Sequence, residues 1–140
     1  MNLFIVSGAP NTGKSTTVYH LCTYLLNLGY VKTDIPYNGK RYSTSTSFPP
    51  ILANDFSCLL EKEGKKVLIH TATDDVFNID ALVNSINNHK PSIVITTCRD
   101  FGDWPRDYFC SQLKLVNSFI LASTSDIDIE EFPLSRITRR

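Results

Sequence analysis

The chain has 140 residues, of which 42% are hydrophobic, and its 14 Lys and Arg residues balance 14 Asp and Glu residues. This length predicts one domain, and the ordinary globular composition excludes a disordered, collagen-like or coiled-coil chain. Zero net charge argues against a strongly basic nucleic-acid-binding protein. No apolar stretch approaches the roughly 20 residues needed to span a bilayer, so we expect no membrane partner.

The cysteines of the chain give no sign of a metal or disulfide framework. Cys22, Cys58, Cys98 and Cys110 are far apart and form no C-x-x-C pair, which suits neither a zinc knuckle nor a secreted scaffold. The start of the chain also lacks the basic and apolar regions of a signal peptide. We therefore expect buried thiols in a reducing compartment and a cytoplasmic location.

The first quarter of the chain predicts a strand followed by a helix. Its unbroken apolar run indicates a strand over Asn2–Val6 that is covered on both faces. Apolar residues then recur every three or four positions from Lys14 to Leu28, which is the pattern of one helix face, and Gly29 is placed to end that helix. Tyr30–Thr33 fits a short second strand.

The middle of the chain predicts a loop and then a hairpin. The stretch Asp34–Pro50 holds an Asn-Gly turn signal, a Ser/Thr run and two prolines, so we expect a surface loop there. Asp55–Leu60 and Lys66–Thr71 have the composition of strands, and Glu61–Lys65 with its glycine would join them as an antiparallel hairpin.

The second half of the chain alternates helix and strand signals. A helix is predicted over Ile79–Asn88, a buried strand over Ser92–Thr97, and a third helix that begins near Asp103 as its N-cap. The apolar stretch Leu115–Ala122 predicts the last strand. Residues 126–140 show no clear periodicity and indicate a short helix or a tail.

This order of elements predicts an α/β fold. Strands that alternate with helices form a mainly parallel sheet between two helix layers, so we expect a three-layer sandwich over residues 1–140, with one antiparallel hairpin. Ligands of such sheets bind at the carboxyl ends of the strands. The polar residues that interest us follow those ends.

The strongest signal is the sequence GAPNTGKS at residues 8–15, which fits the pattern G-x-x-x-x-G-K-[ST] at every fixed position. It follows a predicted strand and opens a predicted helix, as the pattern requires. Its glycines allow a turn whose amides point inward at an anion, and the helix N-terminus adds a partial positive charge. A plain glycine-rich turn is the alternative, but Lys14 would face amide donors there without an anion between them.

These residues resemble the P-loop NTPases, and the arrangement as a whole is most similar to small nucleoside and small-molecule kinases. The resemblance implies that Lys14 reaches the β- and γ-phosphates of a nucleoside triphosphate, ATP or GTP, that Ser15 holds Mg²⁺, and that Thr16 contacts the α-phosphate. The residues expected to bind the nucleotide are Gly8, Asn11, Thr12, Gly13, Lys14, Ser15 and Thr16.

A P-loop enzyme needs an acid beside Mg²⁺, and the chain has no clean strand-end aspartate. The sequence VLIHTATDD at residues 67–75 is nearest, with His70 where the acid usually stands. We take Asp74 as the first candidate for the metal side and Asp75 as the second. The alternative is that both cap the helix that follows. For His70, a hydrogen-bonded core residue is favoured over a catalytic base.

Arginines follow the next predicted strand. Arg99 emerges at the same edge of the sheet, and Arg106 follows in a segment with Trp104. The resemblance implies that such arginines clamp the transferred phosphoryl group, so Arg99 joins Lys14 and Asp74 as a catalytic candidate. The alternative is a surface arginine paired with Asp100 or Asp103. For Trp104, packing over the helix start is favoured over stacking on a ligand ring.

Three functions remain open on this evidence. The first is a Mg²⁺-dependent phosphotransferase or hydrolase, in which a small molecule would be the phosphoryl acceptor. The second is a nucleotide-binding switch, because the hairpin resembles the region between the switches of small GTPases, although no N-K-x-D motif reads guanine. The third is a phosphate-binding relic without turnover. Lys40 and Arg41 lie where an acceptor-binding or nucleotide-sensing segment would be, with a solvated loop as the alternative.

Overall fold

The computed structural model describes residues 1–10, 12–36, 55–124 and 126–134. These residues form an α/β fold with one sheet and helices on both of its faces. The strands are β1 (Asn2–Gly8), β2 (Val31–Asp34), β3 (Ser57–Lys62), β4 (Lys65–His70), β5 (Ile93–Cys98), β6 (Ser123–Thr124) and β7 (Ile127–Leu134), and the helices are α1 (Lys14–Asn27), α2 (Val76–His89) and α3 (Arg106–Leu113).

The sheet has the order β2-β3-β4-β5-β1-β7-β6. Its four central strands, β4, β5, β1 and β7, are parallel, while β3 pairs antiparallel with both β4 and β2, and β6 pairs antiparallel with β7. The predicted parallel centre and the predicted hairpin are therefore confirmed. Because β1 lies between β5 and β7, the carboxyl ends of three neighbouring strands meet around the end of β1.

Two apolar clusters hold the layers together. Side chains of a strand alternate between the two faces, so Leu3 and Ile5 of β1 pack with α2 and α3, while Val6 packs on the opposite side with Val18 and Cys22 of α1. All four cysteines are buried and free, as predicted. No helix in the described ranges has the length and apolar character needed to cross a membrane.

Helices α1 and α2 lie close to where the sequence predicts them. α1 begins at Lys14, and Gly29 just beyond its end has φ +98°, the left-handed conformation expected of a terminating glycine. α2 starts three residues before the predicted position, with Asp75 as its cap. The hairpin turn, Glu63-Gly64, has positive φ at both residues, as a two-residue type I′ turn requires.

The predicted last strand, Leu115–Ala122, is wrong. This stretch is irregular: Phe119 is buried, but Ile120 and Leu121 are exposed, and Leu121 has φ +52°, which no strand allows. The strand lies instead at β7, where a helix or tail was expected. β7 does alternate between faces, but its inward positions are Ile127, Ile129 and Glu131, and a buried carboxylate hid the pattern.

Glu131 is buried because Arg106 neutralises it. The guanidinium donates two hydrogen bonds to the carboxylate, of 2.9 and 3.1 Å, and others to the backbone carbonyl oxygens of Arg99 and Asn117. It also lies over the ring of Phe119, 4.4 Å from its centroid. α3 begins at Arg106, with Pro105 rather than the expected Asp103 at its N-cap position, and the ion pair fixes the helix to β7.

Removing one partner of this pair should destabilise the protein strongly. We expect Glu131→Ala to lower the free energy of unfolding by about 3–5 kcal/mol, because it leaves the Arg106 guanidinium buried without a counter-charge. Arg106→Met should cost a similar amount, and the double variant should lose less than the sum of the two. Urea-induced unfolding measures all three, with Glu130→Gln on the same strand as the control. Additive losses would contradict the coupling described here.

Candidate functional site

The glycine-rich loop (residues 8–13) connects the carboxyl end of β1 to α1. A side chain at Gly8 has no room, because a Cβ there would lie 2.5 Å from Thr12 Oγ1 and 3.0 Å from the Leu134 carbonyl oxygen. Gly13 has φ +95°, the left-handed region that favours glycine. The Thr12 hydroxyl donates a 2.8 Å hydrogen bond to the Ala9 carbonyl oxygen. Steric constraints thus explain why glycine stands at both fixed glycine positions of the motif.

Lys14 folds back over this loop. Its side chain is only 8% exposed, and its Nζ donates hydrogen bonds of 2.8 and 3.4 Å to the carbonyl oxygens of Gly8 and Ala9. Burial lowers the pKa of this amine, while the nearby charge of Asp74 opposes the shift. The chain therefore holds an ammonium group at the mouth of the loop, in a partly desolvated position.

The N-terminus of α1 has no side-chain cap in the described chain, and its first turn holds no acid. α2 differs, because the Asp75 carboxylate accepts a 2.9 Å hydrogen bond from the backbone N–H of Asn78. The first N–H groups of any helix lack intrahelical acceptors. At α1 these donors and the partial positive charge of the helix end face the glycine-rich loop, which is a setting for an anion.

Ser15 contacts an acid that the sequence analysis did not identify. Its hydroxyl donates a 3.0 Å hydrogen bond to Oδ1 of Asp55, and the same oxygen accepts a 3.1 Å hydrogen bond from Thr71. Burial raises the pKa of the Asp55 carboxyl, and the two hydroxyls oppose the shift. The sequence predicts this acid at the end of a strand, whereas Asp55 lies just before the antiparallel strand β3. Only the fold therefore shows that Asp55 contacts Ser15.

Threonines at the ends of β4 and β5 fix the position of Asp55. The Thr71 hydroxyl, which donates to Asp55, also accepts from the Phe56 backbone N–H at 2.9 Å. The Thr71 carbonyl oxygen in turn accepts from the hydroxyl of Thr97, which lies 2.7 Å from the hydroxyl of Thr73. All three threonines are buried. The half-buried carboxylate is thus held on one side by a buried polar network.

Asp74 and Arg99 lie at the same end of the sheet and form an ion pair of 2.9 Å. Their side chains are 57% and 21% exposed, so the pair is accessible. Asp74, Arg99 and Asp100 all influence the charge state of Lys14. The predicted residues Lys14, Asp74 and Arg99 are therefore brought together, but Ser15 bonds to Asp55 rather than to Asp74.

The other candidates have structural roles. Asp75 caps α2, which was the alternative stated for it. His70 is fully buried, and its ring bonds to the Ser57 hydroxyl and to the backbone carbonyls of Ala72 and Asn78. The predicted phosphate role of Arg106 and its alternative as a surface arginine are both wrong, because its guanidinium is buried against Glu131.

Trp104 and Thr16 both lie at the surface, and some of the predicted residues cannot be placed. Trp104 lies against the ring of Tyr108 in the first turn of α3, as favoured, but it is largely exposed, and Thr16 is exposed in the first turn of α1. Asn11, Lys40 and Arg41 lie outside the described residues. Within the described ranges, no three His, Cys, Asp or Glu side chains form a metal site of their own.

Comparison with known proteins adds no assignment. No protein-family model, curated protein or solved structure matched the chain.

His70 should make the protein acid-sensitive. Burial lowers its pKa to about 4, from an ordinary value of 6.5, so the unfolded chain takes up a proton that the folded chain refuses between these values. The contribution of the neutral His70 ring to the free energy of unfolding is fully present above pH 6.5. It is lost as the pH falls towards 4, and the total loss is about 3 kcal/mol. Urea unfolding across this range should show a flatter pH dependence for His70→Gln, whatever its stability at pH 7. The exposed His20→Gln is the control, and an unchanged slope in His70→Gln would refute this role.

Proposed function

We propose that the chain is a P-loop NTPase-like protein that binds a Mg²⁺–nucleoside triphosphate, with ATP as the first candidate and GTP as the second, and that it acts as a phosphotransferase or hydrolase. The observation that carries the proposal is the Lys14 amine, held against the carbonyls of Gly8 and Ala9 at an uncapped helix N-terminus. Two carbonyl oxygens are weak partners for a buried ammonium. Triphosphate oxygens would be stronger ones.

The loop and the start of α1 supply the remaining phosphate contacts in this proposal. The N–H groups of Gly13, Lys14, Ser15 and Thr16 belong to the end of the helix that carries the partial positive charge. Thr12, with its hydroxyl bonded inside the loop, keeps the loop shape when the ligand is absent. Thr16, exposed beside this helix end, is the proposed α-phosphate contact.

The donor set fits Mg²⁺. Ser15 Oγ and Asp55 Oδ1 are hard oxygen donors 3.0 Å apart, and adjacent oxygens around octahedral Mg²⁺ lie roughly 2.9 Å apart, given its 2.0–2.1 Å bonds. Mg²⁺ takes few protein ligands and completes its shell with waters and phosphates, so a single serine and a single acid suffice. Bound there, Mg²⁺ would neutralise charge on the β- and γ-phosphates. We therefore propose Asp55 as the acid on the metal side, ahead of Asp74.

Asp74 and Arg99 then act beside the metal. The Asp74 carboxylate holds the guanidinium of Arg99 at 2.9 Å, at the same end of the sheet as Lys14. A guanidinium in this position can donate to the oxygens of the transferred phosphoryl group, where charge builds up during transfer. Because the pair is exposed, Arg99 can leave Asp74 at little cost. A small-molecule acceptor would approach from this side.

A nucleotide switch is the second candidate, and the Ser15–Asp55 hydrogen bond favours it. If both oxygens held Mg²⁺, the Ser15 hydroxyl would keep its proton but could no longer donate it to Asp55, so this hydrogen bond would be lost when nucleotide binds. Asp55 lies in the connection between β2 and β3, two residues before β3 begins. A change at Asp55 would therefore be transmitted to the β2–β3 connection, as in proteins whose loops report the γ-phosphate.

The phosphate role of Lys14 predicts a loss of binding without a loss of fold. Lys14→Ala should weaken ATP binding at least about 100-fold, because hydrogen bonds from a charged donor contribute about 1.5–3 kcal/mol each. Calorimetry with ATP and GTP, with and without Mg²⁺, measures this, and thermal unfolding checks the fold. Lys65→Ala, an exposed lysine of β4, is the matched control. Unchanged affinity in a folded Lys14→Ala variant would end the proposal.

The two acids can be separated by their charge alone. Asp55→Asn keeps an oxygen that accepts from Ser15 and Thr71 but removes the carboxylate charge, so the gain in nucleotide affinity given by Mg²⁺ should fall about tenfold. Its stability without ligand should not decrease, because the desolvated charge is gone. Asp74→Asn should keep the Mg²⁺ dependence. If Asp74→Asn loses it and Asp55→Asn does not, Asp74 is the acid that supports the metal.

Turnover separates the enzyme from the switch. Release of phosphate from labelled ATP, alone and with a panel of small-molecule acceptors, tests the first candidate. Limited proteolysis within residues 37–54, compared between the di- and triphosphate states, tests the second. Cleavage that differs between these states without any turnover would favour the switch.

A further inference from the structure

Three large aromatic side chains are exposed on two neighbouring segments of the chain. Phe77 lies in the first turn of α2, and Phe101 and Trp104 lie between β5 and α3, with 76%, 70% and 65% of their surfaces exposed. We call Phe77, Phe101 and Trp104 the aromatic surface. Single exposed apolar side chains need no explanation, but several large ones together mark a binding surface.

Two contacts join the two segments that carry these residues. Arg99 binds Asp74 at 2.9 Å, and the Tyr108 hydroxyl donates a 2.6 Å hydrogen bond to Asp80 of α2. Phe77 lies on the chain between Asp74 and Asp80, while Phe101 and Trp104 lie between Arg99 and Tyr108. All three aromatic residues therefore lie in the two stretches of chain that these contacts join at both ends.

The segment that carries Phe101 and Trp104 is structured. The Asp103 N–H donates to the Asp100 carbonyl at 3.0 Å, and Gly102 between them has φ +86°, as in a type II turn with Phe101 at its second position. The Arg106 N–H then donates to the Asp103 carbonyl at 2.8 Å. Trp104 also lies against the ring of Tyr108, with centroids 6.3 Å apart. Held in this way, the aromatics lose little entropy when a partner binds.

The charge around these rings is negative. Asp100, Asp103 and Asp107 have no hydrogen bond or ion pair for their side chains within the described part of the chain, and Asp103 and Asp107 are exposed. The two arginines of this region are already paired with other acids, Arg99 with Asp74 and Arg106 with Glu131. Like charges would repel nucleic acid and anionic lipid.

We propose that the aromatic surface binds an arginine-bearing, partly apolar peptide segment of a partner protein. Guanidinium groups stack on aromatic rings and pair with carboxylates at the same time, so they match both properties of this surface. Arginine also suits the flat, exposed ring of Trp104 better than lysine does. The test of this proposal does not require nucleotide, because neither Lys14 nor the glycine-rich loop belongs to the aromatic surface.

Trp104 is the only tryptophan of the chain, so its fluorescence reports this surface directly. The full chain alone should show red-shifted emission that acrylamide quenches readily, as exposure predicts. A short peptide of alternating arginine and leucine should shift the emission to the blue and reduce quenching, more weakly as salt is raised. If Trp104 is already shielded in the free chain, the chain covers its own surface and the proposal fails.

Matched peptides and variants decide the chemistry. Replacing arginine by glutamate, or leucine by serine, should each weaken binding at least about tenfold, and so should the double variant Asp103→Asn, Asp107→Asn. Labelled-peptide anisotropy should show a similar loss for Trp104→Ala. The exposed Tyr24→Ala on α1 and Glu63→Gln in the hairpin should change affinity less than about twofold. Equal binding of the glutamate peptide, full binding by Trp104→Ala, or a larger shift with single-stranded oligonucleotide or anionic vesicles would overturn the proposal.

Discussion

The parallel pairing of β1 with both of its neighbours is the constraint on which the site depends. β1 pairs with β5 over Asn2–Ser7 and with β7 over Asn2–Gly8, so the glycine-rich loop leaves the sheet between the ends of two other strands. Gly8 lies so close to the Leu134 carbonyl at the end of β7 that no side chain fits. The loop is therefore shaped from both sides, and Lys14 folds into the space that remains.

The same pairing explains why the site contains a buried polar network. β5 separates β1 from β4 in the sheet, so residues after β4 reach the loop only across the end of β5. The hydroxyls of Thr71, Thr73 and Thr97 fill this distance, and Thr71 passes its hydrogen bond on to Asp55. A carboxylate held by hydroxyls at a desolvated position is costly until a cation joins it. In the function we propose, a cation bound at Asp55 would offset this cost.

Much of this was predictable because local signals agreed with the fold. The strand β1, helix α1, the hairpin and β5 follow from apolar periodicity and turn chemistry, and each was confirmed within a few residues. The prediction failed where burial depended on a distant partner. Strand β7 was missed because Glu131 interrupts its apolar pattern, and only the distant Arg106 makes burial of that carboxylate possible. Asp55 was missed because the register of an antiparallel hairpin, rather than any motif, brings it to Ser15.

The two surfaces at this end of the molecule differ in charge and so select different ligands. The loop, Lys14 and the helix end present donors and positive charge, which suit an anion. The aromatic surface lies beyond the Asp74–Arg99 pair. It presents exposed rings and the negative charges of Asp100 and Asp103, which suit a cation. The ion pair lies between the two and carries one charge of each sign. A ligand that draws Arg99 towards the loop leaves Asp74 facing the aromatic surface and makes that surface more negative. Binding at the two places would then be coupled through one side chain, in the sense that each favours the other.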